Sequence, residues 1–367
     1  MNANIAPEIR DVIEALHYRP SVSVIQPFDT KMGLKAELAY SLKIALDKAE
    51  QELMNNYSSS IALPVLNKLK SIIAELKPEF QKHKKSIAIF VSPVFDKVLY
   101  LDVPVEQKVI VDDSFEIRDL IYSKKQLHKY LLLILSSKES KLFLGNSEEF
   151  AKIILDRPAS AEAYIHDTPE RVTNFSDVDD RREMILEKFL HQIDLALEEV
   201  LNKYPLPLFV MGAERTNGKF RHLTKHIKQV AVFINGNYED HSFAELKQIM
   251  KPYVEKWKDE KQKELLQKID EAAGKKKLAK GMNEVWRDAM LNKGQLLLVE
   301  KNYMYAAQLS GNDDVLYKVE LPAGNTNYIK DAVDDVIEKV ISNGGDVEFV
   351  DEGLLKDFGH IALVNYY

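Results

Sequence analysis

With 367 residues, 46% of them hydrophobic and 29% charged, the chain has a globular composition and is too long for one ordinary core, so two or three domains are expected. It contains no cysteine, which excludes a disulfide frame, a thiolate zinc site and a cysteine nucleophile. A formal net charge of −7 argues against coating nucleic acid with the whole surface but leaves room for a local basic site.

The start, MNANIAPEIRDVIEAL, is acidic and amphipathic where a leader would be basic and then apolar, and no apolar run approaches the roughly 18 residues of a membrane span. A soluble, cytoplasmic protein with no membrane partner is expected. In chain order, the pattern predicts a helix near 7–17 and a strand over 21–25 closed by Pro27. Two long amphipathic helices follow, over 35–57 and 63–76, joined by a polar NNYSSS turn. A hairpin over 86–91 and 97–101 turns at Ser92-Pro93, and a further strand covers 107–111. This first domain, 1–122, reads as a helical pair against a small sheet and carries no catalytic constellation.

A second domain, 123–259, opens with a hairpin over 130–135 and 140–144 and then a polar loop, LDRPASAEAYIHDTPERVTNFSD, over 155–177. A helix over 179–204, strands over 207–212 and 231–234 and a long helical region over 242–272 complete a mixed α/β layer. A polar loop of this length suggests function or disorder. Within it His166, Asp167 and Glu170 are candidates for acid/base chemistry, and Arg157 and Arg171 for contact with an RNA partner; the alternative is a solvated charged loop. Asp177, Asp179 and Asp180 suit helix capping. His222 and His226 stand at i,i+4 with Glu214 upstream and His241 downstream, but no glutamate follows the first histidine as in HExxH, so surface or structural histidines are expected and no metal. No phosphate loop, dinucleotide fingerprint or GxSxG elbow occurs, so no cofactor is expected.

The third domain, 260–367, holds the most informative stretch, GKKKLAKGMNEVWRDAMLNKGQLLLVEKNY over 274–303. A basic loop with Lys275, Lys276, Lys277 and Lys280 leads to Gly281, and Asn283 can cap a helix that presents Val285, Ala289 and Met290 on one face. Gly294 is read as the helix stop, and Leu296 to Val299 as a strand buried on both faces. Lysines and helix N-terminus are thereby expected together at one end of a sheet, an arrangement that favours phosphate. A helix over 331–343, the Gly344-Gly345 turn, a strand over 347–350, a short helix near 353–357 and a last strand over 360–364 finish the chain.

The run Lys280-Gly281-Met282-Asn283-Glu284-Val285, with Arg287, Ala289 and Gly294 behind it, resembles the helix-opening motif of the ribosomal-protein family that binds kink-turn RNA. A divergent copy of that domain ends the archaeal and eukaryotic peptide-chain release factors and Pelota. The order of elements extends the resemblance along the chain, which looks like a bacterial offshoot of that superfamily: an N-domain, a ribonuclease-H-like middle domain and a kink-turn-binding-like C-domain. The resemblance implies ribosome, ribosomal RNA or tRNA as partner. It assigns Lys276, Lys277, Lys280 and Arg287 to phosphate, Gly281 to close backbone approach, and Asn283 and Glu284 to polar contacts; a cap-only role for Asn283 is the alternative. One departure is chemical. True release factors carry a Gly-Gly-Gln loop in the middle domain, and this chain has no glycine between Gly145 and Gly212 and no such tripeptide anywhere. The expectation is a noncatalytic ribosome-engaging or ribosome-rescue factor; the alternatives are a hydrolase or nuclease with its chemistry in the 155–177 loop, and an interaction scaffold that has lost RNA binding.

Overall fold

The computed structural model describes residues 7–13, 15, 19–27, 35–76, 84–101, 103–126, 129–136, 139–146, 150–155, 178–310, 315–319 and 328–367. They form a mixed α/β fold in two compact units, one made of 1–126 together with 262–367 and the other of 127–261.

In the first unit, helix α1 (Pro7–Ile13) precedes strand β1 (Ser21–Pro27), the helices α2 (Lys35–Asn56) and α3 (Ser59–Glu75), strands β2 (Ser86–Val91), β3 (Asp96–Leu101) and β4 (Lys108–Asp112), and helix α4 (Arg118–Gln126). The strands make an antiparallel sheet in the order β3-β2-β1-β4. Side chains alternate across a strand, so Val22 and Val24 meet Ala45, Ala49 and Leu66 of the helical pair, while Ile25 faces the opposite way.

What that opposite face meets comes from the far end of the chain. In the second unit lie β5 (Tyr130–Leu135), β6 (Ser140–Gly145), β7 (Phe150–Ile153), α5 (Val178–Lys203), β8 (Leu208–Gly212), α6 (Glu214–Leu223) and β9 (Val230–Asn235), and α7 (Phe243–Gly274) runs across the division. The first unit resumes with β10 (Leu278–Lys280), α8 (Gly281–Met290), β11 (Gly294–Glu300), β12 (Ala307–Leu309), β13 (Leu316–Lys318), β14 (Tyr328–Ile329), α9 (Ala332–Ser342), β15 (Asp346–Val350) and β16 (Ile361–Asn365). Ile25, Ala88 and Phe90 share one hydrophobic core with Trp286, Val333 and Val336. The stretches 1–126 and 262–367 are therefore packed on each other, joined by burial that no local sequence pattern announces.

A buried polar cluster reinforces that packing. The Ile117 and Arg118 amides donate to Asp334 Oδ1 at 3.1 and 2.8 Å, so the start of α4 rests on a carboxylate from α9. The Arg118 guanidinium, 1% exposed, pairs with Asp331, while Lys108 reaches Asp119 at 2.9 Å and Glu116 at 3.5 Å. Burial, then the Asp331 charge, pushes the Glu116 carboxyl up to about 7, and burial raises Asp334 as well.

In the second unit the sheet order is β7-β6-β5-β8-β9, with β5, β6 and β7 antiparallel and β5, β8 and β9 parallel. Strand β5, YLLLIL, is buried throughout: Leu131, Leu133 and Leu135 pack on α5, and Tyr130, Leu132 and Ile134 on α7. Covering helices on both faces explain why the run is continuous rather than alternating. The two central strands, YLLLIL and LFVMG, contain no acidic residue.

Candidate nucleic-acid interface

The stretch 274–303 folds differently from its sequence reading in three ways. Helix α7 continues to Gly274 and stops where Lys276 takes the left-handed conformation (φ 57°), with the Lys277 amide returning to Ala272 O at 2.9 Å. The lysine loop then becomes strand β10, which pairs with β16. This strand separates the lysines. Lys277 O accepts the Asn365 amide at the end where β16 finishes, whereas Lys280 pairs with Ala362 near its start. At about 3.3 Å per residue the intervening strand spans roughly 10 Å, so Lys275, Lys276 and Lys277 are set apart from the helix N-terminus, while Lys280 stays beside it.

The second difference is the cap. Helix α8 begins at Gly281, whose φ of +68° a side chain would strain, and Lys280 is its N-cap residue. The Lys280 amide donates to Glu284 Oε2 at 3.0 Å. Asn283 lies inside the helix and does not cap it; its Oδ1 accepts the Leu316 amide at 3.1 Å and ties β13 to α8. The third is the stop. Asn292 (φ 58°) makes the left-handed turn, and Gly294 already belongs to β11, where a Cβ would stand 2.9 Å from Leu363 Cδ1 and 3.1 Å from Val340 Cγ2. The expected strand stands as read: Leu297, Leu298 and Val299 are fully buried.

Two surfaces result. At the end where β11 begins, Lys268, Lys275 and Lys277 share an open groove of about 610 Å³ with Glu271, Asp346 and Tyr366. Its charge is mixed, because Lys277 Nζ donates to Tyr366 O at 2.7 Å and Asp346 already pairs with Lys125 at 2.9 Å. Arg287 is exposed on the last turn of α8, its Nε 3.6 Å from Asp288 Oδ1, where Lys293 and Asn365 also meet.

At the other end, Lys280 and Gly281 open α8 beside Gly359, whose added Cβ would lie 3.0 Å from Gly281 Cα, while a Cβ on Gly281 itself would meet nothing within 4 Å. A group the sequence reading missed holds this apposition. Glu300, 4% exposed at the end of β11, accepts the Leu355 amide at 2.8 Å and bonds His360 Nδ1 at 2.8 Å, and the His360 ring stacks on Tyr303. Burial pushes the Glu300 carboxyl up, but the His360 ring and the Gly353 and Leu355 amides outweigh it and hold it below the usual glutamate range. The available signal was a glutamate directly following a fully apolar run, LLLVE.

The remaining sequence candidates divide simply. Arg157, His166, Asp167, Glu170 and Arg171 lie outside the described residues. His222 lies in the last turn of α6 while His226 is the cap residue of the next 3-10 turn, so their spacing of four is not a helical one, and the described residues contain no metal-holding group of three or more His, Cys, Asp or Glu. No helix among them is long and apolar enough to cross a membrane.

A parallel-strand core flanked by an antiparallel hairpin, followed by a helix opening on a left-handed glycine, is the architecture to set beside known proteins. Residues 129–293 match the sequence model of the bacterial archaeo-eukaryotic release factor family 3. Among curated proteins no relative matches. Solved structures similar to the chain include the archaeal translation termination factor aRF1, at 13% identity over 98% of both chains with a TM-score of 0.25. Dom34 of S. cerevisiae, a translation termination-like factor, is 14% identical over 77% of this chain and 74% of its own, with a TM-score of 0.42. A model of ribosome-bound archaeal Pelota is 11% identical over 100% of this chain and 95% of its own, with a TM-score of 0.45.

Proposed function

We propose that the chain is a noncatalytic, RNA-engaging translation or ribosome-rescue factor, built as three domains over 1–122, 123–259 and 260–367. The observation that carries this reading is the match of residues 129–293 to a release-factor family. The missing Gly-Gly-Gln tripeptide supports the noncatalytic part, since release chemistry by that loop needs glycines to bring backbone to the ester. The apolar central strands β5 and β8 offer no carboxylate pair to a nuclease mechanism.

Lys280 and Gly281, at a helix start with open space beside the glycine, are assigned to RNA backbone contact, and Lys276, Lys277 and Arg287 to a separate contact at the opposite end of β10. Co-sedimentation with ribosomes across a salt series tests this. The parent should bind in a salt-sensitive manner, and Lys276→Ala with Lys277→Ala, or Lys280→Ala alone, should each weaken binding and flatten the salt slope in proportion to the phosphates lost. Binding unchanged in all these variants would remove the site from this stretch, and a parent that never sediments with ribosomes would overturn the function.

A further inference from the structure

The second unit carries a basic surface of its own. Residues 215–238 include Arg215, Lys219, Arg221, Lys225 and Lys228 and not one Asp or Glu, within a chain of net charge −7. Arg215 and Lys219 both pair with Glu183 of α5, and Lys219 lies 3.7 Å from Glu187 as well, so two carboxylates offset these two cations. Lys225 and Lys228 have no carboxylate partner among the described residues, and both are exposed, as is Arg221. Arg221 lays its guanidinium over the Phe233 ring at 4.5 Å.

The turn bearing these cations is held firmly from below. Asp194 of α5, 1% exposed, accepts the Thr224 hydroxyl at 2.5 Å and the Lys225 amide at 3.3 Å. The His226 amide donates to Thr224 Oγ1 at 3.1 Å, and the Gln229 amide to His226 O at 2.9 Å. The nearby carboxylate is thus committed to the backbone and a hydroxyl of the turn, and no carboxylate among the described residues pairs with either ammonium group. A fixed turn with unpaired cations has electrostatic potential to spend on a polyanion.

We infer that the Arg221–Lys228 turn is a second nucleic-acid contact, in which Lys225 and Lys228 take phosphates of a single-stranded RNA and Arg221, backed by Phe233, stacks on a base. The stacked guanidinium favours RNA over an acidic peptide. The ring 4.5 Å away holds the guanidinium in place, and a base can pack on its exposed side, a contact that a carboxylate does not make. The contact requires nothing of the Lys276–Lys280 region and stands or falls without it.

The test uses the full chain and a fluorescent, mixed-sequence single-stranded RNA, with affinity read by anisotropy across a KCl series. The combined Arg221→Ala, Lys225→Ala and Lys228→Ala variant should bind at least tenfold more weakly at low salt, with a salt slope lower by about 1.4, given roughly 0.7 for each of the two phosphates on a single strand. Arg221→Lys keeps the charge and should preserve the slope while losing the parent's preference for RNA over an otherwise identical strand with abasic sites. Lys276→Ala with Lys277→Ala and Lys280→Ala, measured in parallel, isolates failure of the C-terminal site from failure of this one. Labelled polyglutamate serves as the competing polyanion. Parent-like RNA binding by the Arg221/Lys225/Lys228 variant at every salt concentration would overturn the inference, as would polyglutamate binding as tight as RNA with the same loss. All three side chains are exposed, so unchanged thermal unfolding is expected of the variants.

Discussion

Asp335 offers a direct test of the buried charge that joins the two ends of the chain. It lies in the first turn of α9 and accepts the Ser114 hydroxyl at 3.2 Å. Burial, with the nearby Asp112 charge, pushes its carboxyl from the ordinary 3.8 up to about 7. A carboxyl raised on folding binds its proton more tightly in the native state, so its contribution is complete below the unfolded value and is lost as pH rises through the folded one. The difference of about 3 is worth at most about 4 kcal/mol at 1.36 kcal/mol each. Because the residue is only half-buried, about 2 kcal/mol is the expected size. Asp335→Asn keeps an acceptor for Ser114 and cannot ionise. It should match the parent near pH 4, gain on it steadily as pH rises, and level off at about 2 kcal/mol above roughly pH 7. Urea unfolding followed by fluorescence is the assay. The chain has two tryptophans, of which Trp286 is buried in the first unit, so a Trp257→Phe background makes the signal specific. Equal stability of variant and parent at about pH 8, or an equal gain at both ends of the range, would refute the reasoning.

Arg118→Met should cost about 3–5 kcal/mol at neutral pH by the same Trp286 signal, because it leaves the buried Asp331 without its ion-pair partner; a loss below about 1 kcal/mol would mean that the pair contributes little to joining the two chain ends. Asn283→Ala should cost about 1 kcal/mol through its lost bond to the Leu316 amide. Asn283→Ser, with an equally good capping side chain, should not restore it, since serine is too short to reach Leu316; full rescue would show that capping was the role after all.

The sequence by itself determined most of the elements. Continuous apolar runs became β5 and β11, and amphipathic periodicity became α2, α3, α5 and α9, because burial of a face is written in the spacing of the residues that fill it. The likeness of residues 129–293 to the release-factor family was legible for the same reason, in the order of such elements. Helix α6 was not, since ERTNGKFRHL is a weak helix former; it forms because Thr216, Asn217 and Phe220 are buried beneath it. Nor were the two- and three-residue strands β12, β13 and β14, too short to show a period. At the candidate site the local rules were outbid by longer-range ones. Asn283 has every local credential of a cap, but Gly281 lets the helix start earlier and β13 supplies Asn283 with a different donor. The lysines are neighbours in sequence and part in space because β16, from the chain's last residues, draws Leu278 to Lys280 into a strand. Arg118 and Asp331 lie 213 residues apart, and only the shared core of the two chain ends makes them a pair. Pairing at that distance depends on which surfaces the whole chain buries, a quantity that no window of sequence contains.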